Sequence, residues 1–185
     1  MSGAHHQAKQ FPYVVNECID SSVTNYVRLE RKSHSSVSYS LDSLNSNQLI
    51  TEFKSIDEKN LLTIFTYGFV AGIALEAGKQ ISSESGSSIK VIDLQKIWPL
   101  PENLILEIAK KSNGIIVLEE QSLSGGISES ISNILIRDKK PVNFRTVSLP
   151  SKYIFENGTR EQLLENYGLS TKNIVKLSIE MMVTN

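Results

Sequence analysis

Between residues 31 and 60 Ser, Asn, Asp and Lys crowd the chain, with few large apolar residues except around Leu49–Phe53. That stretch reads as a linker with one edge strand. It separates a small N-terminal piece from a compact unit beginning at residue 61. Leu61–Tyr67 is a continuous apolar run with β-branched and aromatic residues, which suits a strand buried on both faces. Gly68 ends it. Val70, Ile73, Ala74, Ala77 and Ile81 then recur at i, i+3, i+4, i+7 and i+11, one face of a helix. The Ser/Gly cluster 82–88 breaks that pattern. Ile89–Leu94 is a second strand, which Pro99 and Pro101 forbid from continuing. Pro101 suits the first turn of a helix that turns Leu104, Ile105, Ile108 and Ala109 inward. Gly114–Glu119 is the third strand, Ile127, Ile131, Ile134 and Leu135 mark the third helix, and Val142–Leu149 is the fourth strand.

Two short helices close the chain. Thr159-Arg-Glu-Gln162 is a capping-box pattern, in which hydroxyl and amide satisfy each other's free backbone donors. Gly168 stops that helix. Ser170 caps the last one, whose Ile174, Leu177 and Met181 face inward. Regular strand–helix alternation implies right-handed crossovers. The expected class is α/β, a three-layer α/β/α sandwich around a mostly parallel, mixed sheet. The expected division is 1–10 as a tail, native or appended, 11–35 as the end of a preceding domain, 36–60 as linker and edge strand, and 61–185 as the compact domain.

Composition narrows the function classes. The chain has 185 residues, 40 % hydrophobic and 21 % charged, with a formal net charge of −1. Nothing in that balance favours nucleic acid or an anionic membrane surface. A single cysteine, Cys18, excludes an intramolecular disulfide or a Cys-cluster metal site and is read as a small buried hydrophobe. No apolar run approaches the ~20 residues of a spanning helix. The expected location is the cytoplasm.

Candidate chemistry is thin. Tyr67-Gly-Phe-Val-Ala-Gly72 is not the G-x-G-x-x-G of dinucleotide sites, and Phe69 and Val70 crowd the place where backbone must approach pyrophosphate. Gly68 is assigned a tight turn and Gly72 close helix–sheet packing. Ser124-Gly125-Gly126 opens a helix and so offers an anion site, but Glu129 in the first turn already suits the helix dipole, which favours a structural turn. Glu119 and Glu120 look like an acid/base pair. Adjacent strand residues point to opposite faces, however, so one is expected at a protein interface and the other in solvent. Asp93 is expected to bond a turn or helix cap. His5, His6 and His34 have no partners at ligand spacing. Arg28 and Arg31 lie in Tyr26-Val-Arg-Leu-Glu-Arg31, where a strand would put Arg28 and Glu30 on one face; this is either a solvated face or a guanidinium clamp for a phosphorylated substrate.

Taken in order, several segments resemble one family. Tyr26-Val-Arg-Leu-Glu-Arg31 resembles the Y-I-R-L-x-R strand that ends the middle, pyrimidine-binding domain of transketolase-family enzymes. Leu62-Thr-Ile-Phe-Thr-Tyr-Gly68 with Ala74-Leu-Glu-Ala77, and Val91-Ile-Asp-Leu94 with Pro99-Leu100, resemble the opening of their C-terminal domain. Val117-Leu-Glu-Glu120 with Gly125-Gly126 resembles its V-x-E-E … G-G-x-G-S. Gly158-Thr-Arg-Glu-Gln-Leu-Leu164 and Tyr167-Gly-Leu169 resemble its G-T-x-E-E-L-L … G-L-D. Gln95 stands where the family usually has Arg, Pro101 where it has Asp, and Ser128 where it has Gly.

The resemblance implies the C-terminal, dimer-bracing domain of a transketolase-like enzyme plus the tail of the domain before it. The parent would transfer a two-carbon ketol unit between sugar phosphates using thiamine diphosphate and a divalent metal such as Mg. This chain would hold no cofactor and no catalytic residue. It would pair as a homodimer or with a companion subunit carrying the cofactor-binding domains. Arg28 and Arg31 would touch substrate phosphate, and Glu119, Glu120, Gly125 and Gly126 would lie at an interface. The other readings are a standalone or split-subunit dimerisation or regulatory module, and the C-terminal part of a deoxyxylulose-phosphate synthase or of a 2-oxo-acid dehydrogenase beta subunit.

Overall fold

The computed structural model describes residues 15–16, 18–29, 48–53, 61–139 and 142–183. Among these, the strands form one five-stranded sheet: β1 (Gln48–Phe53), β2 (Leu61–Thr66), β3 (Ser88–Leu94), β4 (Gly114–Ser122) and β5 (Asn143–Leu149). Their order across the sheet is β1-β3-β2-β4-β5. Only β1 runs antiparallel, paired with β3 from Gln48↔Leu94 to Phe53↔Ile89. The edge strand expected around Leu49–Phe53 is thus part of the domain's own sheet.

The three central strands are mostly apolar because both faces are covered. Leu62, Ile64, Ile89, Val91, Ile116 and Leu118 pack with Ala74, Ala77 and Ile81 of α1 (Ala71–Ser85), Leu164 of α4 (Arg160–Asn166) and Ile174 and Met181 of α5 (Thr171–Val183). On the other face Phe65, Ile92, Ile115 and Val117 meet Ile105 and Ile108 of α2 (Glu102–Lys111) and Ile131, Ile134 and Leu135 of α3 (Ile127–Arg137). Each fully buried Ile, Leu or Phe contributes about 1.5–3 kcal/mol of transfer free energy. The three-layer α/β/α reading with a mostly parallel, mixed sheet is what the structure has.

Local differences have simple causes. The α1 helix runs through Ser82 and Ser83 to Ser85, where the Ser85 hydroxyl donates to the Ile81 carbonyl at 2.7 Å and Gly86, at φ 63°, ends it. The close approach of α1 to the sheet falls at Gly78, where a Cβ would meet Phe53 at 2.8 Å and Val91 at 3.2 Å. The expected capping box at Thr159 is present in both directions, with Gln162 N donating to Thr159 Oγ1 and Thr159 N to Gln162 Oε1.

Strand order reverses between β2 and β4: the chain steps from β2 outward to β3, then returns across β2 to β4. Right-handed crossovers demand a change of face at that step, and α1 and α2 do lie on opposite faces. The carboxyl ends of β2 and β4 therefore flank the crevice where open α/β sheets place ligands. No helix among the described residues is long and apolar enough to cross a membrane.

Candidate functional site

The end of β4 departs from regular pairing. Leu118 pairs with Val147 and Ser122 with Leu149, so β4 advances four residues while β5 advances two. Such a bulge re-aims side chains. Glu119 follows Val117 onto the α2/α3 face by ordinary alternation and lies in the domain beneath α3, where it is 0 % exposed. Glu119 Oε2 accepts from Ile127 N at 2.8 Å, and Oε1 accepts from Ser128 N at 3.1 Å and from the Ser128 hydroxyl. A helix start leaves its first amides without intrahelical partners and carries partial positive charge, so a carboxylate there is doubly favoured. The strand's own glutamate is the cap of the next helix. Gly126 makes this possible: a Cβ there would lie 2.6 Å from the Glu119 carboxyl carbon. Gly125, at φ 79°, shapes the preceding turn, and its N–H donates to Glu129 Oε2 at 2.7 Å.

The expectation for Glu119 changes as a result. Glu119 sits neither at an interface nor in solvent, because its own helix amides bury it. The Ser128 hydroxyl, at a position where the family usually has Gly, donates to Glu119. An incoming anion would find Ile127 N and Ser128 N already taken, so Ser124-Gly125-Gly126 is a structural turn.

Glu120 points to the opposite face, as strand alternation requires. Arg160, the first residue of α4, clamps it: Nε donates to Oε1 at 2.9 Å and Nη2 to Oε2 at 2.5 Å. The guanidinium also lies 4.1 Å from the centroid of the Phe69 ring in the turn after β2. Phe69, Arg160 and Glu120 thus join the carboxyl ends of β2 and β4 across the switch-point crevice. The sequence reading missed this link, although the capping box at Thr159 had put Arg160 at a fixed helical position.

Thiamine diphosphate does not fit these residues. A diphosphate needs free amides or cations, and here the helix amides hold Glu119 while Arg160 holds Glu120. The buried Thr66 hydroxyl at the end of β2 has no hydrogen-bond partner, but one neutral hydroxyl supplies no charge to a diphosphate. Among the described residues no group of three or more His, Cys, Asp or Glu is placed to hold a metal ion.

The remaining candidates are scattered. Arg28 is exposed, in residues 24–29 that carry no regular secondary structure. Of the strand expected over Tyr26–Arg31, the described residues 26–29 carry no strand. Arg31, His5, His6 and His34 lie outside the described residues. Cys18 is half-buried rather than buried. Asp93 is buried at the end of β3. Beyond β5, the Tyr167 hydroxyl donates to Glu156 Oε1 at 2.7 Å. That bond, helped by Lys152, holds the Glu156 carboxyl below the usual carboxylate range and raises the Tyr167 phenol above its ordinary value. A shallow groove of about 350 Å³ between β5 and α5, lined by Thr146, Ser148, Asn173 and Lys176 among others, contains none of the expected site residues.

The chain matches the family described as "Transketolase, C-terminal domain" over residues 52–174. It is 29 % identical over 120 residues to a 1-deoxy-D-xylulose-5-phosphate synthase of Heliobacterium modesticaldum, covering 65 % of this chain and 18 % of that protein. It is 32 % identical over 123 residues to the synthase of the same name from Vibrio parahaemolyticus, again covering 65 % and 18 %. A solved split-gene transketolase, described as an inactive beta4 tetramer, superposes with a TM-score of 0.61 at 26 % identity, covering 73 % of this chain and 42 % of that one. The chain spans about a fifth of the length of the curated relatives it matches.

Proposed function

Because the chain belongs to the transketolase C-terminal domain family, we propose that it serves as the dimer-bracing, non-catalytic domain of a transketolase-like enzyme. The parent assembly transfers a two-carbon ketol unit between sugar phosphates. Thiamine diphosphate and its magnesium ion are held elsewhere, on domains that make up the remaining length of the relatives. The observation that carries this reading is the closed carboxyl edge: Glu119, Glu120 and Arg160, the charged groups nearest the switch point, are engaged within the chain. In this assembly residues 11–35 end the middle domain, 36–60 supply the linker and the edge strand β1 of the domain at 61–185, and the location is the cytoplasm.

Arg28 and Arg31 are the substrate-facing groups of this reading, contacting a sugar phosphate through guanidinium geometry. Gln95, which replaces the family's usual arginine, leaves that task to them. Glu120, Gly125 and Gly126 brace the interface from the end of β4. The solved neighbour is described as a tetramer of one chain type, which supports self-association of this chain as well as association with a companion.

The test is reconstitution. The chain alone, given thiamine diphosphate, magnesium and a ketose/aldose phosphate pair, should give no product. Adding the cofactor-binding domains of a transketolase-like enzyme should restore ketol transfer, and Arg28→Ala should then raise KM for the phosphorylated substrate with little change in kcat. Turnover by the chain alone would sink the proposal.

A further inference from the structure

The loop between β5 and α4 carries Asn157-Gly158, one of two Asn-Gly pairs in the chain; the other is Asn113-Gly114. Their surroundings differ. Residues 151–159 are all exposed, and residues 153–157 form neither helix nor strand. On either side of the pair the loop is tied down: the Glu156 carboxylate accepts from the Tyr167 hydroxyl at 2.7 Å, and the Thr159 N–H donates to Gln162 Oε1 at 2.9 Å. Between these ties, nothing among the described residues bonds to the Asn157 side-chain amide or to the Gly158 N–H. Gly158 has no side chain to shield its nitrogen, and its backbone turns with little steric restraint. Gly114, by contrast, is buried and opens β4, paired with Leu62 on one side and Asn143 on the other. A Cβ there would lie 2.9 Å from both Leu62 and Met181, so this backbone has no room to swing.

We propose that Asn157 is a site of spontaneous deamidation, and that its product loosens the start of α4. The Gly158 nitrogen, on giving its proton to hydroxide, attacks the Asn157 side-chain carbonyl carbon. The bond from that nitrogen to Cγ forms, the Cγ–Nδ2 bond breaks, and the amide nitrogen takes up a proton and leaves as ammonia. Water then adds to either carbonyl of the cyclic imide. One opening gives aspartate, which places a second carboxylate beside Glu156. The other gives isoaspartate, in which the main chain runs through Cβ and is longer by a methylene. That extra length falls directly ahead of Thr159, whose hydroxyl accepts from Gln162 N at 3.2 Å and whose N–H makes the return bond. Arg160 comes next, holding Glu120 and covering Phe69. A covalent change in an exposed loop therefore reaches the link across the switch point. The site goes beyond the bracing role in a parent assembly and does not depend on it.

The test is ageing of the full chain at physiological temperature in mildly acidic and mildly alkaline buffer. Trypsin releases residue 157 within Tyr153–Arg160 and residue 113 within Ser112–Arg137, so mass spectrometry reads the two amides apart. The Tyr153–Arg160 peptide should exchange an amino group for a hydroxyl, with isoaspartate in excess over aspartate, at a rate proportional to hydroxide. Residue 113 should keep its amide. Asn157→Gln, which needs a larger and slower-forming ring, should block the change. Amide exchange along α4 should quicken roughly fivefold in the aged chain, as loss of one helix cap would give, and stay at its starting value in the aged Asn157→Gln variant. An amide at 157 that survives as long as the one at 113 overturns the site. A deamidated chain whose α4 exchange matches that of the fresh chain overturns the coupling to α4. Both outcomes are read without turnover, so they are separable from failure of the reconstitution assay.

Discussion

Glu119 carries a structural task that its neighbours in sequence do not reveal. Its carboxylate receives two helix amides and a hydroxyl from residues eight and nine positions on, in a space that only a glycine at 126 leaves open. Glu119→Ala should cost about 2–4 kcal/mol in urea unfolding, because it strands buried donors as well as removing a cap. Gly126→Ala should cost about 1–3 kcal/mol through overlap with the carboxylate. The double variant should cost less than the two together, since each change removes part of the other's penalty. This was not legible in advance: a strand's alternation says which way Glu119 points, but not that a bulge and a turn return the next helix to it. A second residue-scale expectation concerns pH. Glu156 is depressed, so its bond to Tyr167 stabilises the fold above the ordinary carboxylate pKa and is lost as pH falls through the lowered value. Tyr167 is raised, so its share is present below the ordinary phenol pKa and lost as pH rises through the raised one. Tyr167→Phe should move the Glu156 titration, followed by carboxyl-carbon NMR, upward toward the usual range.

At the scale of elements, most of the architecture was readable from apolar spacing. Ile73, Ala77 and Ile81 lie buried on one face of α1, and Ile127, Ile131 and Leu135 on one face of α3, where the periodicity placed them. Ends were harder to read, because they are set by side chain–backbone bonds and by pairing rather than by hydrophobicity. Polar residues 119–122 at the end of β4 still belong to the strand, and serines 82, 83 and 85 still belong to α1. The short α4 illustrates how a local signal acquires a tertiary role. Its capping box fixes Thr159, which fixes Arg160 as the first helical residue, and Arg160 then holds Glu120 and covers Phe69. Arg160→Ala should therefore loosen the attachment of α4 to β4 and lower stability by about 1–2 kcal/mol. Arg160→Lys should recover little of it, because an ammonium cannot make the bidentate contact. Amide exchange along α4 would read both.

For the molecule as a whole, one sheet carries two apolar layers on opposite faces, and neither layer touches the other except through the strands. Ile81 lies in one and Ile131 in the other, both fully buried. Each alanine substitution should cost about 2–5 kcal/mol, and the pair should be additive within about 0.5 kcal/mol if both remain in one cooperative transition. Among the segments that resembled the family, Val117-Leu-Glu-Glu120 lies toward the end of β4 and Gly125-Gly126 leads into α3, and positions 119 and 126 tie the two together. A descendant chain that gains a side chain at 126 gives up about 1–3 kcal/mol unless it has first lost the acid at 119, and one that loses the acid first must survive with a loosened helix. Neither order is easy to traverse by single steps. The two positions are therefore coupled: what can stand at one depends on what stands at the other.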